Sequence, residues 1–140
     1  MTEGQGKSQW LGRRAERTVL ITESLVDRFV DLSGDDSPIH VSEEAARSRG
    51  FDGRVVHGLL LSALLSGLIG TELPGARGVL QDLQISFRSP CGIGDEITIA
   101  AWVADHHESV RTLIVKFQIQ KQNGEIVATG SLRSGLGGQS

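Results

Sequence analysis

Apolar residues recur at helical spacing in the first half of the chain and alternate with polar ones in the second. Thr18 to Ile21 reads as a short strand. Thr22 then caps a helix whose apolar face is Leu25, Val26, Phe29 and Val30, and Gly34 ends it. The stretch Gly34-Asp35-Asp36-Ser37-Pro38-Ile39-His40 holds too many breakers for regular structure and predicts a loop. Ser42 caps a second helix over Glu43 to Arg49, which Gly50 terminates. Val56 to Leu73 is apolar nearly all round, the mark of a helix buried in the middle of a fold. Its small residues Gly58, Ser62, Ser66 and Gly70 recur every fourth position and form one stripe.

From Val79 onward the period is two. Val79, Leu83, Ile85 and Phe87 form one strand; Ile97, Ile99, Ala101 and Val103 a second; Leu113, Val115, Phe117 and Ile119 a third. Asn123-Gly124 predicts a hairpin from that third strand into Ile126 to Leu132. A strand, short helices, one long buried helix and a run of antiparallel strands make an α+β layout, a sheet wrapped around a helix. One helix cannot cover both faces of such a sheet, so a dimer is expected. Residues 1–14 and 135–140 are polar or Gly-rich and read as flexible tails around a single domain over 15–134.

Length and composition narrow the class. A chain of 140 residues supports one core and needs no disulfide staples. Its net charge of -3 disfavours nucleic acid and anionic membrane as partners. Cys91 is the single cysteine and reads as a small hydrophobe. No secretory pattern or membrane span is visible, so a cytoplasmic protein is expected.

Two places carry candidate chemistry. Asp35 and His40 are five residues apart, about 17 Å if extended, so they meet only if the loop folds back. Pro38 and its restriction of Ser37 suit such a turn. Brought together, the pair suits acid–base work on a water; left apart, it is a capping Asp and a structural His. The second place is Val55-Val56-His57-Gly58, at the start of the long helix. Unpaired amides there can polarise a carbonyl, and Gly58 sets no side chain in the way. The alternative is that the small residues only let the sheet pack close. His106-His107 reads as a solvated turn, and Asp35, Asp36, His40 and His57 match no established metal spacing.

Taken together, Ser33-Gly34-Asp35-Asp36-Ser37-Pro38-Ile39-His40 resembles the hydratase motif Gly-Asp-x-Asn-Pro-x-His of the MaoC-like, (R)-specific enoyl-CoA hydratases. Val56 to Leu68, Thr71 to Gly75, Phe87-Arg88-Ser89-Pro90 and Gly94-Asp95-Glu96 resemble that family's central helix, its exit, and a later strand and turn. The likeness runs collinearly from Thr22 to Ser131.

It implies a hotdog fold, normally dimeric, and reversible syn addition of water to a trans-2-enoyl thioester of coenzyme A or acyl carrier protein. It assigns Asp35 and His40 as the catalytic pair and the Gly58 amide as the carbonyl-binding group. Ser66, Ser37 and His57 become site-ordering residues, and no metal or other cofactor is required. Ser37 stands where the family usually has Asn, and its shorter reach implies a loop held differently. The rival functions are a hotdog thioesterase and a silent hotdog that binds a thioester or a protein. Val56 to Thr71 carries no carboxylate, which counts against the first.

Overall fold

The computed structural model describes residues 8–137. β1 (Arg14–Leu20) leads into α1 (Glu23–Ser33), α2 (Pro38–Val41), α3 (Glu43–Ser48) and the long α4 (Gly58–Glu72). Four strands follow: β2 (Gly78–Phe87), β3 (Glu96–His107), β4 (Thr112–Lys121) and β5 (Ile126–Leu136). They form one sheet in the order β1-β3-β4-β5-β2, antiparallel at every pairing.

Local chemistry sets most of the boundaries. Thr22 accepts from the Leu25 amide and Ser42 from the Ala45 amide, each satisfying a donor that a helix start leaves free. Gly34 closes α1 with a left-handed φ of 78°, and Gly50 turns the chain after α3 at φ 92°. Gly124 takes φ 88° between β4 and β5, while the Asn123 side chain accepts from the Glu125 amide.

The core lies between α4 and the concave face of the sheet. Leu60, Leu61, Leu65, Leu68 and Ile69 of α4 pack among Ile97, Ile99, Val103, Leu113, Val115, Phe117 and Ile119. Each such side chain contributes about 1.5–3 kcal/mol on burial.

Four features depart from the expectations. The segment after Ser37 is not all loop: Pro38–Val41 forms one helical turn that carries His40. Proline at its first position has no amide to lose there. Inside the span expected to be a flexible tail, Trp10 is buried in the core and the Gly12 amide donates to Val103. At the other end β5 runs to Leu136, which is also buried. Residues 1–7 and 138–140 of the two expected tails lie outside the described residues. His106 and His107 close strand β3 rather than forming a turn, and Ser8 hydrogen-bonds the His106 ring.

Lastly, α4 is not covered all round. Leu59, Ala63, Ser66 and Gly70 are exposed along one stripe. Ser66 and Gly70 therefore do not serve close packing on the sheet, whereas Gly58 does come close to Phe87 of β2. Ser62, Ser66 and Gly70 line a groove of about 160 Å³ with Leu80, Leu83, Leu132 and Ser134. Among the described residues, no helix is long and apolar enough to cross a membrane.

Candidate active site

Asp35 and His40 do meet. The chain leaves α1 at Gly34, and the Ser33 side chain receives the Asp35 amide. Ser37 then donates to the Asp35 Oδ1 atom twice, from its hydroxyl at 2.8 Å and from its amide at 3.2 Å. This Asx-type turn folds the loop back so that Oδ2 lies 3.9 Å from His40 Nε2. The Ser37 hydroxyl, its amide, and then His40 and His57 hold the Asp35 carboxyl below the usual carboxylate range. Asp35 is therefore an anion at neutral pH.

His40 has a defined tautomer. Its Nδ1 is 2.6 Å from the Val55 carbonyl, which only accepts, so Nδ1 carries the proton. In the neutral ring Nε2 then holds a lone pair, on the side facing Asp35. Ser37 occupies Oδ1 and Val55 occupies Nδ1, so Oδ2 and Nε2 remain as two acceptors side by side.

His57 lies beneath the pair. It is buried, stacks on His40 with centroids 3.7 Å apart and planes 18° from parallel, and meets Phe29 edge-on at 4.8 Å. Its Nε2 donates to the Asp35 carbonyl oxygen at 2.9 Å, so His57 fixes the backbone of the aspartate and the plane of the His40 ring together. Its Nδ1 atom is buried without a hydrogen-bond partner.

The ligand atoms of Asp35, His40 and His57 lie within 4.8 Å of one another, close enough to consider a metal. The donor chemistry fits poorly. Imidazole binds a metal along its in-plane lone pair, and two nearly parallel rings at 3.7 Å aim those lone pairs side by side instead of at one point. His57 Nε2 and His40 Nδ1 are also committed as donors.

These groups open onto a cleft of about 540 Å³ whose wall includes Asp35, His40, His57, Gly58, Leu59, Phe87 and Arg88. Gly58 is the first residue of α4, and no side chain caps the helix at His57. The first amides of the helix thus end at the cleft, where they suit a developing negative charge. A Cβ on Gly58 would come 2.7 Å from the Phe87 ring, so only glycine leaves this approach clear. Cys91 also lines the cleft. Burial, with Asp95 adding, pushes its thiol up to about 12, so it is a neutral neighbour and not a nucleophile.

Asp35, His40, Ser37, His57 and Gly58 thus share one neighbourhood. Ser66 does not: within this chain it is exposed, two turns along α4 and in the groove against β2. Sequence reasoning missed Arg54, and it named Val55 only as part of the lead into the long helix, not for its carbonyl. The Val55 carbonyl fixes His40, and buried Arg54 donates from Nε to the His40 carbonyl at 2.7 Å. A backbone acceptor has no sequence signature, and an arginine reads as surface.

Comparison with known proteins agrees with this architecture. The profile of the family described as MaoC like domain matches residues 9–125. The (R)-specific enoyl-CoA hydratase of Aeromonas caviae is 32% identical over 120 residues, which cover 86% of this chain and 90% of that one. The mitochondrial 3-hydroxyacyl-[acyl-carrier-protein] dehydratase of Arabidopsis thaliana is 34% identical over 119 residues, covering 84% and 70%. Among solved structures, the (R)-hydratase from A. caviae involved in PHA biosynthesis superposes with a TM-score of 0.88 at 30% identity, covering 94% of this chain and 100% of that one.

Proposed function

The chain belongs to the MaoC-like domain family, a hotdog fold, and from that premise we propose that it is a hydro-lyase. It interconverts trans-2-enoyl thioesters and (R)-3-hydroxyacyl thioesters. The observation that carries this reading is the pair of acceptors, Asp35 Oδ2 and His40 Nε2, 3.9 Å apart at the foot of α4. A water about 2.8 Å from each fits across that gap, donates one hydrogen to each, and presents its oxygen to the substrate.

The thioester carbonyl lies against the Gly58 amide, which draws electron density from C3 toward the oxygen. The water oxygen bonds to C3 while His40 Nε2 takes one of its protons. Asp35 stays ionised, orients the water and balances the imidazolium; the Val55 carbonyl accepts from Nδ1 throughout. The imidazolium then returns the proton to C2 on the same face, and the carbonyl is restored. One proton leaves the water and one reaches carbon, so no metal or redox cofactor enters the balance.

The acyl carrier is coenzyme A or an acyl carrier protein, as named for the two relatives. A homodimer is supported by the bare apolar edge of β2, where Val79, Leu80 and Phe87 are exposed.

Hydration of crotonyl-CoA, followed by loss of the enoyl-thioester absorbance, tests the reading. Wild-type protein turns the substrate over, and Asp35→Asn and His40→Ala each lower kcat by about 10²-fold or more. Turnover that survives both substitutions, or release of free thiol, overturns it.

A further inference from the structure

His40 belongs to an element too short to hold it. α2 has four residues, closed from outside its own length by the His40 amide on Ser37 and the Ser42 amide on Pro38. A single turn is unstable by itself, because fixing its dihedrals costs more than its few hydrogen bonds return. The carbonyl of His40, in the last turn, has no helical partner, and the catalytic ring is aimed by whatever grips this turn from outside.

The grip comes from residues 54 and 55. The Val55 amide donates to Ile39 at 2.9 Å, the Arg54 Nε to the His40 carbonyl at 2.7 Å, and the His40 Nδ1 to the Val55 carbonyl at 2.6 Å. Val55 is itself anchored by a bridge to Gly92, and Val56 donates to Cys91. Arg54 is the charged member. Only 8% exposed, it sends the rest of its guanidinium back to α1, 2.7 Å from Asp27 and 3.4 Å from Glu23. The planar fork donates in three directions at once, which lysine cannot copy. Its two acidic partners are more than half exposed and remain hydrated without it.

On the reading that Asp35 and His40 act on water, we propose that Arg54 is a positioning residue of the reaction, acting through the His40 backbone. Its Nε–H fixes the height of the one-turn helix, and the two carboxylates of α1 fix Arg54. The turn then carries His40 Nδ1 to Val55, which locks the tautomer that leaves Nε2 free for the proton of water. Arg54 does not line the dyad's cleft and touches neither substrate nor water. Its removal therefore lowers the rate of chemistry more than it weakens binding.

The experiment compares Arg54→Met and Arg54→Lys in the whole chain, by crotonyl-CoA kinetics and by long-range proton–nitrogen NMR of the His40 ring. Wild type shows the single Nδ1–H tautomer. Arg54→Met loses that single tautomer and its kcat falls on the order of tenfold, with KM within about twofold. Arg54→Lys, with one ammonium donor for three contacts, recovers part of both.

The proposal is overturned if folded Arg54→Met keeps the single tautomer or the wild-type rate. If wild type does not hydrate crotonyl-CoA, the reading of the reaction fails, and the tautomer comparison still decides Arg54.

Discussion

Ser37 holds one oxygen of Asp35 with both its hydroxyl and its amide and leaves the other oxygen toward His40. The expectation of a loop held differently, for want of the family's asparagine, turned on reach. At two residues' separation, inside an Asx turn, a hydroxyl reaches far enough. The sign of the pH effect follows. Asp35 ionises below its ordinary 3.8, so it stays an anion, and contributes to folding, above that value; both are lost as pH falls through the lowered one. Ser37→Ala removes the largest cause. Asp35 then titrates at a higher pH, and the acid limb of kcat/KM moves up with it. Ser37→Asn, which keeps a side-chain donor, holds both near wild type. Carboxyl carbon NMR across the acid range measures the first and rate profiles the second. An Asp35 titration unmoved in Ser37→Ala would remove Ser37 as the cause.

At the scale of elements, the start of α4 and the end of β2 meet at Gly58 and Phe87. A methyl on Gly58 collides with the far edge of the Phe87 ring, which is half-exposed and free to swing. The space it swings through is the cleft over the helix N-terminus. Gly58→Ala therefore lowers kcat/KM on crotonyl-CoA by on the order of tenfold, while unfolding in urea shifts by about 1 kcal/mol. Gly58→Ala with Phe87→Leu recovers activity if crowding is the cause. Equal activity loss in the single and the double variant would point to the helix backbone instead.

The same elements show what a sequence can carry. Caps and terminators at Thr22, Gly34, Ser42, Gly50 and Asn123-Gly124 act on their immediate neighbours, so they could be read in order. Asp35, His40 and Gly58 were reached through a motif and a helix end. The turn Pro38–Val41 escaped because four residues display no period. The burial of Trp10, the part played by Arg54 and the open surroundings of Ser66 were not legible, because burial, a salt link to α1 and the open side of α4 depend on partners far along the chain.

Across the whole molecule, the two edges of the sheet differ in chemistry. β1 presents Arg14, Glu16, Arg17 and Thr18 along most of its length, charged and polar groups that discourage pairing with another strand, with Leu20 exposed at its end. β2, at the far edge, exposes Val79, Leu80 and Phe87, each about half exposed, at its two ends around a polar middle of Gln81, Asp82, Gln84 and Ser86, while Leu83 and Ile85 pack against the core. Leu59 extends this apolar surface onto α4, and the groove holding Ser62, Ser66 and Ser134 lies between. An edge strand with apolar ends beside an open helix face is a strong template for a second copy, because pairing satisfies the strand's free amides and carbonyls and buries its side chains in one step. Light scattering after size exclusion should give twice the 15.0 kDa chain mass at micromolar concentration. Leu80→Asp places a second charge beside Asp82 on this edge, so it shifts the protein to monomer and lowers its melting temperature. The same charge in a monomer would sit harmlessly in solvent. Wild-type protein that runs as a monomer, with Leu80→Asp melting at the same temperature, would show that β2 is a bare edge in solution and that the fold is complete in one chain.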